Sequence, residues 1–385
     1  MTRLAAWVTV SALLLYALAE LTDNGHLWQG LRECYLRGYR NAQVDDLQFK
    51  EFRTIPASDN PRLWPLHSNY TESIRASVLD STEAFGTVAL AVVHRDSLIL
   101  DWATQSISGA DTMRTNAFSM AKTLTALAIG AAVKDSLLSV DDPVSKYLPR
   151  FKSGPGASLT IRHLLQMRSG IPFGENYKNP IGFMAKSTYG RDILDRTAGY
   201  AIQGEAGRPW QYQGGNTLIL QEVLLSVTDM PLGTWFSETI WKPIGAEEDA
   251  AWAIDNQGNE RNYCCFYSRA RDYAKLGQLL LDSGRVGTSQ ILTRDFMADL
   301  MSPIGNLSDG SSIQHYGYQI WLGQHRGHAF SSMTGLHGQY IVVVHDLDLV
   351  VVRTGFRRPK GKRRNLDVDV YYTIDFAMDI IGSLP

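Results

Sequence analysis

A serine stands three residues before a lysine in the stretch FSMAKTLTALAIG, as Ser119 and Lys122. Serine hydroxyl is a weak nucleophile and needs a partner that takes its proton as it attacks. On a helix, residues three apart share a face, so the lysine amine can approach the serine oxygen. The same helix start offers unpaired N–H groups and partial positive charge, which suit an oxyanion forming at Ser119. Lysine serves as a base only after losing its proton, and an apolar setting favours that loss. Phe118, Met120, Ala121, Leu124 and Leu127 supply such a setting. The plain alternative is that Ser119 caps a helix and Lys122 is an ordinary helical residue.

Two further stretches can complete this chemistry. In RPWQYQGGNTLILQEVL, Tyr212 precedes Gly214 and Gly215, with Asn216 as a suitable N-cap for the helix behind. A tyrosine on a Gly-rich turn can present its hydroxyl to a cleft and shuttle protons beside a lysine. It can equally be a packed aromatic. In SMTGLHGQYIVVV, Thr334 and Gly335 lead to a strand entry, and Gly335 and Gly338 let backbone approach a ligand closely. A free strand-edge N–H there could complete an oxyanion hole with that of Ser119. His337 is a candidate substrate contact or a hydrogen-bonded structural histidine.

These stretches must be positioned by the surrounding elements. TVALAVVHRDSLILDWA reads as a β-hairpin around HRDS, and GQYIVVVHDLDLVVVRTGF as a second around HDLD. The opening helix is expected to reach about Lys134. LTIRHLLQMRSGI reads as a short helix, SRARDYAKLGQLLLDSG as a helix stopped by Gly284, and VDVYYTIDFAMDIIGSL as a closing helix. DNPRLWPLHSNY reads as extended segment and turns. Hairpins near both ends with a helical middle predict an α+β fold: one antiparallel sheet, terminal helices, and a mainly helical lobe inserted over about 137–300.

Composition narrows the classes. The chain has 385 residues, 44% hydrophobic and 20% charged, an ordinary globular balance. A net charge of -2 gives no overall attraction to nucleic acid, and none is expected as a partner. The basic run RRPKGKRR, Arg357 to Arg364, contains Pro and Gly and reads as a solvated loop. Three cysteines make no disulfide framework, and Cys34, Cys264 and Cys265 read as packing residues. His325 and His328 in QHRGH lack a partner at metal spacing, so no metal or organic cofactor is implied. No Gly-x-Ser-x-Gly occurs, which removes an α/β-hydrolase elbow. After Arg3 come 16 uncharged residues, LAAWVTVSALLLYALA. Residues 1–23 therefore read as an export signal or signal anchor, and 24–75 as an N-terminal extension before a domain over 76–385. Export to the periplasm, soluble or anchored through this segment, is the expected destination.

The three stretches, in this order, resemble the serine β-lactamase and penicillin-binding-protein superfamily, nearest its class C branch with the related esterases and 6-aminohexanoate-oligomer hydrolases. The resemblance covers roughly 75–385, with LSVDDPVSKYLP, LTIRHLLQMRSGI and SRARDYAKLGQLLLDSGR resembling that family's connecting segments. It implies an acyl-enzyme on Ser119 with Lys122 as base, and it makes Tyr212 the tyrosine of a Tyr-x-Asn element. Met333-Thr334-Gly335 would replace Lys-Thr-Gly, and the N–H groups of Ser119 and Leu336 would form the oxyanion hole. Thr334, Gly335, His337 and Gly214 would line the substrate. Gly214 stands where the family has an amide, and Met333 where it has a cation that pairs with a substrate carboxylate. The expected substrate is a small-molecule amide or ester, with a β-lactam or D-Ala peptide as the alternative.

Overall fold

The β-branched strand Leu349–Gly355 is buried along its whole length, and the main sheet extends to both sides of it. In this computed structural model, which describes residues 2–383, the sheet has seven strands. In spatial order they are Trp321–His325, His328–Gly335, Gln339–Val344, Leu349–Gly355, Thr87–His94, Ser97–Ala103 and Leu66–Thr71. Both expected hairpins are present as neighbours in this sheet. Every pairing is antiparallel except the last, in which Leu66–Thr71 runs parallel to Ser97–Ala103. That edge strand comes from the segment read as extended, and its mostly exposed residues carry no alternating signal.

Residues alternate between two cores, as a sheet covered on both faces requires. Met333, Ile341, Val343, Val350 and Val352 join the main cluster with the Met120–Lys134 and Ala270–Leu281 helices. Phe330, Tyr340, Val342, Leu349 and Val351 pack on the other face against the closing helix Val368–Gly382. The Met120–Lys134 helix is buried on nearly all sides, which explains why its sequence shows no polar stripe. Gly130 lets it approach Phe296 closely, since a Cβ there would lie 2.4 Å from that ring.

The inserted lobe carries the Gly214–Thr228 helix and several shorter ones. Two strands of the lobe, Ala250–Ala253 and Phe266–Ser268, belong to a second sheet that the helical reading did not include, ordered Phe52–Ile55, Ala250–Ala253, Phe266–Ser268, Thr115–Asn116. Its strands are two to four residues long and come from distant parts of the chain, too short for a periodic signal. The N-terminal extension thus supplies a strand to each sheet.

Three local expectations change. Asn216 is not an N-cap: its helix begins at Gly214 behind Gln213, and Asn216 lies buried in the first turn with Nδ2 3.4 Å from Met167 Sδ. Cys264 and Cys265 are not separate packing residues but are bonded to each other, with Cys265 at φ +64° making the turn between them. His325 and His328 do have acidic partners, brought in by tertiary structure: Asp375 at 2.6 Å and Asp346 at 2.7 Å. Cys34 remains a buried thiol against the Tyr189 hydroxyl. The basic run forms a small hairpin, Lys362–Arg363 with Leu366–Asp367, whose Lys360, Lys362, Arg363 and Arg364 are exposed.

Thr2–Leu21 is a helix with exposed Trp7, Leu13, Leu14, Leu15 and Leu18. Among the described residues no helix is long and apolar enough to cross a membrane. The helix is followed by Asp23, which pairs with Arg196 at 2.9 Å and Lys186 at 2.7 Å.

Leu127 is fully buried in the main cluster. Leu127→Ala is expected to cost about 2–5 kcal/mol, read as a lower urea midpoint at an unchanged slope.

Candidate active site

Ser119 is the N-cap of the Met120–Lys134 helix, and the residue before it has an uncommon backbone. Phe118 sits at φ +46°, a region that costs a bulky residue about 1–3 kcal/mol unless its surroundings impose it. The turn leaves Ser119 half-exposed at the head of a buried helix.

Lys122, one turn on, is 1% exposed, and its Nζ is fully surrounded. It donates to Ser119 Oγ at 3.1 Å and to the Tyr263 carbonyl at 3.1 Å. The Tyr212 ring centre lies 4.8 Å from the same nitrogen and that of Tyr263 5.6 Å. The Glu175 carboxylate completes the shell at 4.0 Å. Two π-faces, a carbonyl and one carboxylate thus surround the amine. Serine and lysine are thus hydrogen-bonded to each other, and the Tyr212 ring stands against the lysine.

Tyr212 is held by aromatic neighbours rather than by a hydroxyl partner. Its ring lies 5.5 Å from Trp321 and 6.0 Å from Tyr316, and Trp210 packs on both of these. Gly214 has a double reason to lack a side chain and to begin its helix. A Cβ there would come within 3.1 Å of the Tyr263 ring, and its N–H donates to Glu175 Oε2 at 2.8 Å. A side chain at this position would therefore press on the Tyr263 ring.

The strand His328–Gly335 meets the serine turn end-on. A Cβ on Gly335 would lie 2.3 Å from the Ala117 carbonyl, so only glycine permits this approach. Thr334 is half-buried beside it, and Leu336 follows in an exposed turn. Among the described residues, neither the Ser119 N–H nor the Leu336 N–H has a backbone acceptor. One of these donors stands at the helix N-cap and the other just past the strand end, and an oxyanion hole is built from free N–H groups of this kind. Met333 points the other way, fully buried in the main core, so no cation stands at that position.

His337 is tied elsewhere. Its Nε2 lies 3.1 Å from the Ala42 carbonyl and its ring packs edge-on against Phe118 at 5.4 Å. Burial lowers its basicity, partly offset by that carbonyl. The structural alternative accounts for it: it holds the N-terminal extension against the serine turn.

Glu175, Tyr263, Trp210, Tyr316 and Trp321 were not singled out from sequence. Glu175 lies in the loop FGENYKNP, where an isolated carboxylate follows no period. The aromatics become site residues only through packing. Among the described residues, no group of His, Cys, Asp and Glu could hold a metal ion.

Comparisons with known proteins bear on the family and the fold. The beta-lactamase family model matches residues 75–369. The 6-aminohexanoate-dimer hydrolase of Paenarthrobacter ureafaciens is 22% identical over 61% of this chain and 64% of its own length. Penicillin-binding protein 4* of Bacillus subtilis is 28% identical over 34% of this chain and 29% of its own. The chain thus spans less than two thirds of either curated relative. Among solved structures, a Bacillus anthracis protein provisionally assigned as a 6-aminohexanoate-dimer hydrolase aligns at TM-score 0.70 and 19% identity, covering 89% of this chain and 94% of the other. A family VIII carboxylesterase aligns at TM-score 0.63 and 16% identity, covering 82% and 98%. At these identities the structural likeness is one of fold.

Gly335→Ala pushes a methyl against the Ala117 carbonyl and shifts the strand end from Ser119. Turnover of any substrate of this site is expected to fall about 10- to 100-fold, with circular dichroism unchanged.

Proposed function

The chain belongs to the beta-lactamase family, a hydrolase family, and from that premise we propose that it is a serine hydrolase of amides or esters working through an acyl-enzyme. The observation that carries the reading is Lys122 Nζ at 3.1 Å from Ser119 Oγ, inside a shell that excludes water from the amine. With Lys122 neutral, Ser119 Oγ attacks the substrate carbonyl carbon and its proton passes to Nζ. The N–H groups of Ser119 and Leu336 hold the resulting oxyanion. Collapse breaks the bond to the leaving nitrogen or oxygen, which takes a proton from Lys122 or from Tyr212. Water then attacks the acyl carbonyl, gives its proton back to the same pair, and releases the acid from Ser119. Tyr212 supports this role by position, its ring 4.8 Å from Nζ.

The substrate class follows from what lines the site. Around Lys122 stand Glu175 and the Tyr212 and Tyr263 rings, with Trp321 and Trp210 packed behind Tyr212. With Met333 buried and Gly214 bare, the groups that would read a carboxylate and an amide side chain are missing. Uncharged acyl groups are therefore favoured over β-lactams and D-Ala peptides. The apolar Thr2–Leu21 segment is proposed as the export signal or membrane anchor, giving a periplasmic site.

A fluorophosphonate probe should add one label per chain, at Ser119, read by intact mass. Label on Ser119→Ala, or none on wild type, would sink the mechanism. Lys122→Ala should lower kcat/KM for a p-nitrophenyl ester about 10²- to 10⁴-fold. Unchanged ester turnover in that variant would point to a non-catalytic ligand-binding protein. Across p-nitrophenyl esters, linear amides and a chromogenic cephalosporin, the cephalosporin should be the poorest; turnover matching the esters would return the β-lactamase reading.

A further inference from the structure

The serine turn is fastened from behind by a fully buried polar group, and the N-terminal extension holds that group. Asn116 is 0% exposed and lies two residues before Phe118. Its Oδ1 accepts from the Phe118 N–H at 2.8 Å and from the Cys265 N–H at 3.1 Å. Its Nδ2 donates to Asp46 Oδ1 at 3.3 Å and to the Tyr267 hydroxyl at 3.1 Å. Tyr267 in turn donates to Asp46 Oδ1 at 2.6 Å. Asp46 belongs to a buried charge group in which Lys50 Nζ lies 2.5 Å from Glu33 and 3.8 Å from Asp46 Oδ2.

The chemistry of the donors fixes the amide one way round. A backbone N–H only donates, so the side facing Phe118 and Cys265 requires the Oδ1 of Asn116 and leaves its NH₂ to Asp46 and Tyr267. The oxygen is then directed at the two backbone N–H groups, one on each side of the site. Phe118 N–H begins the left-handed residue that delivers Ser119. Cys265 follows Tyr263 and Cys264, and the Tyr263 carbonyl is the acceptor of Lys122. One oxygen thus bridges the turn before Phe266–Ser268, whose Tyr263 carbonyl meets the lysine, and the turn that carries the serine. Backbone bonds of the same segment run beside it, from Asn116 N–H to the Val44 carbonyl and from Ala117 N–H to that of Phe266.

We infer that Asn116, oriented by Asp46 of the N-terminal extension and by Tyr267, is a positioning residue that sets the distance between Ser119 and Lys122. This rests on Ser119 being the proposed nucleophile. Residues near 46 are therefore part of the catalytic apparatus although they precede the matched family segment, 75–369.

The full chain and its variants are compared by the rate constant of fluorophosphonate labelling at Ser119, by kcat and KM for a p-nitrophenyl ester, and by thermal unfolding. Asn116→Ala and Asp46→Ala should slow labelling and kcat about 10- to 100-fold, with KM within about threefold and labelling still reaching one per chain. Asp46→Asn can offer an amide oxygen to both donors and should recover to within about threefold of wild type. A role confined to folding would lower the unfolding temperature and the labelable fraction, leaving the rate constant per labelled chain unchanged; that result overturns the proposal. If an alanine variant fails to fold, Tyr267→Phe decides, since it keeps the ring and removes one bond that orients Asp46. Slowed labelling there supports the proposal and a wild-type rate overturns it. An unlabelled wild type overturns the nucleophile and this inference with it, whereas a labelled wild type with unslowed variants overturns the inference alone.

Discussion

The left-handed backbone of Phe118 is the constraint on which the site depends. It turns the chain out of the short strand Thr115–Asn116 and into a buried helix within three residues, so that Ser119 emerges at the helix head. A bulky residue does not adopt that conformation unaided. The backbone around it is correspondingly over-determined, by Val44, Phe266 and Asn116 on one side and by Gly335 closing on the Ala117 carbonyl on the other. Local strain of about 1–3 kcal/mol is small against the burial of the helix that follows, and this decides which conformation survives.

Burying Lys122 raises the opposite problem. Removing an ammonium from water costs several kcal/mol, and a single carboxylate at 4.0 Å does not offset it alone. Two aromatic faces at about 0.5–2 kcal/mol each, a carbonyl and a serine oxygen make up the rest.

Where this chain departs from the penicillin-recognising pattern, the departures are built into packing. Met333 has joined the hydrophobic core and Tyr263 fills the space beside Gly214. Restoring either group would require repacking, not merely a substitution.

Short-range chemistry was legible in the sequence. Ser119 and Lys122 share a helix face by spacing alone, and the two hairpins and the closing helix follow from period and turn residues. The N-cap at Ser119 and the end near Lys134 were set by local pattern as well. Contacts between segments far apart in the chain were not legible, because nothing in a sequence measures distance across a fold. Glu175 reaches Lys122 from a loop without period, Asp46 reaches Asn116 across 70 residues, and both histidines of QHRGH meet carboxylates from other elements. The bond between Cys264 and Cys265, the true start of the Gly214 helix and the parallel edge strand were also decided by tertiary packing. The sequence by itself determined which atoms could react. Only the folded chain decided how those atoms are held, because the groups that hold them are buried polar atoms that must find partners wherever the fold provides them.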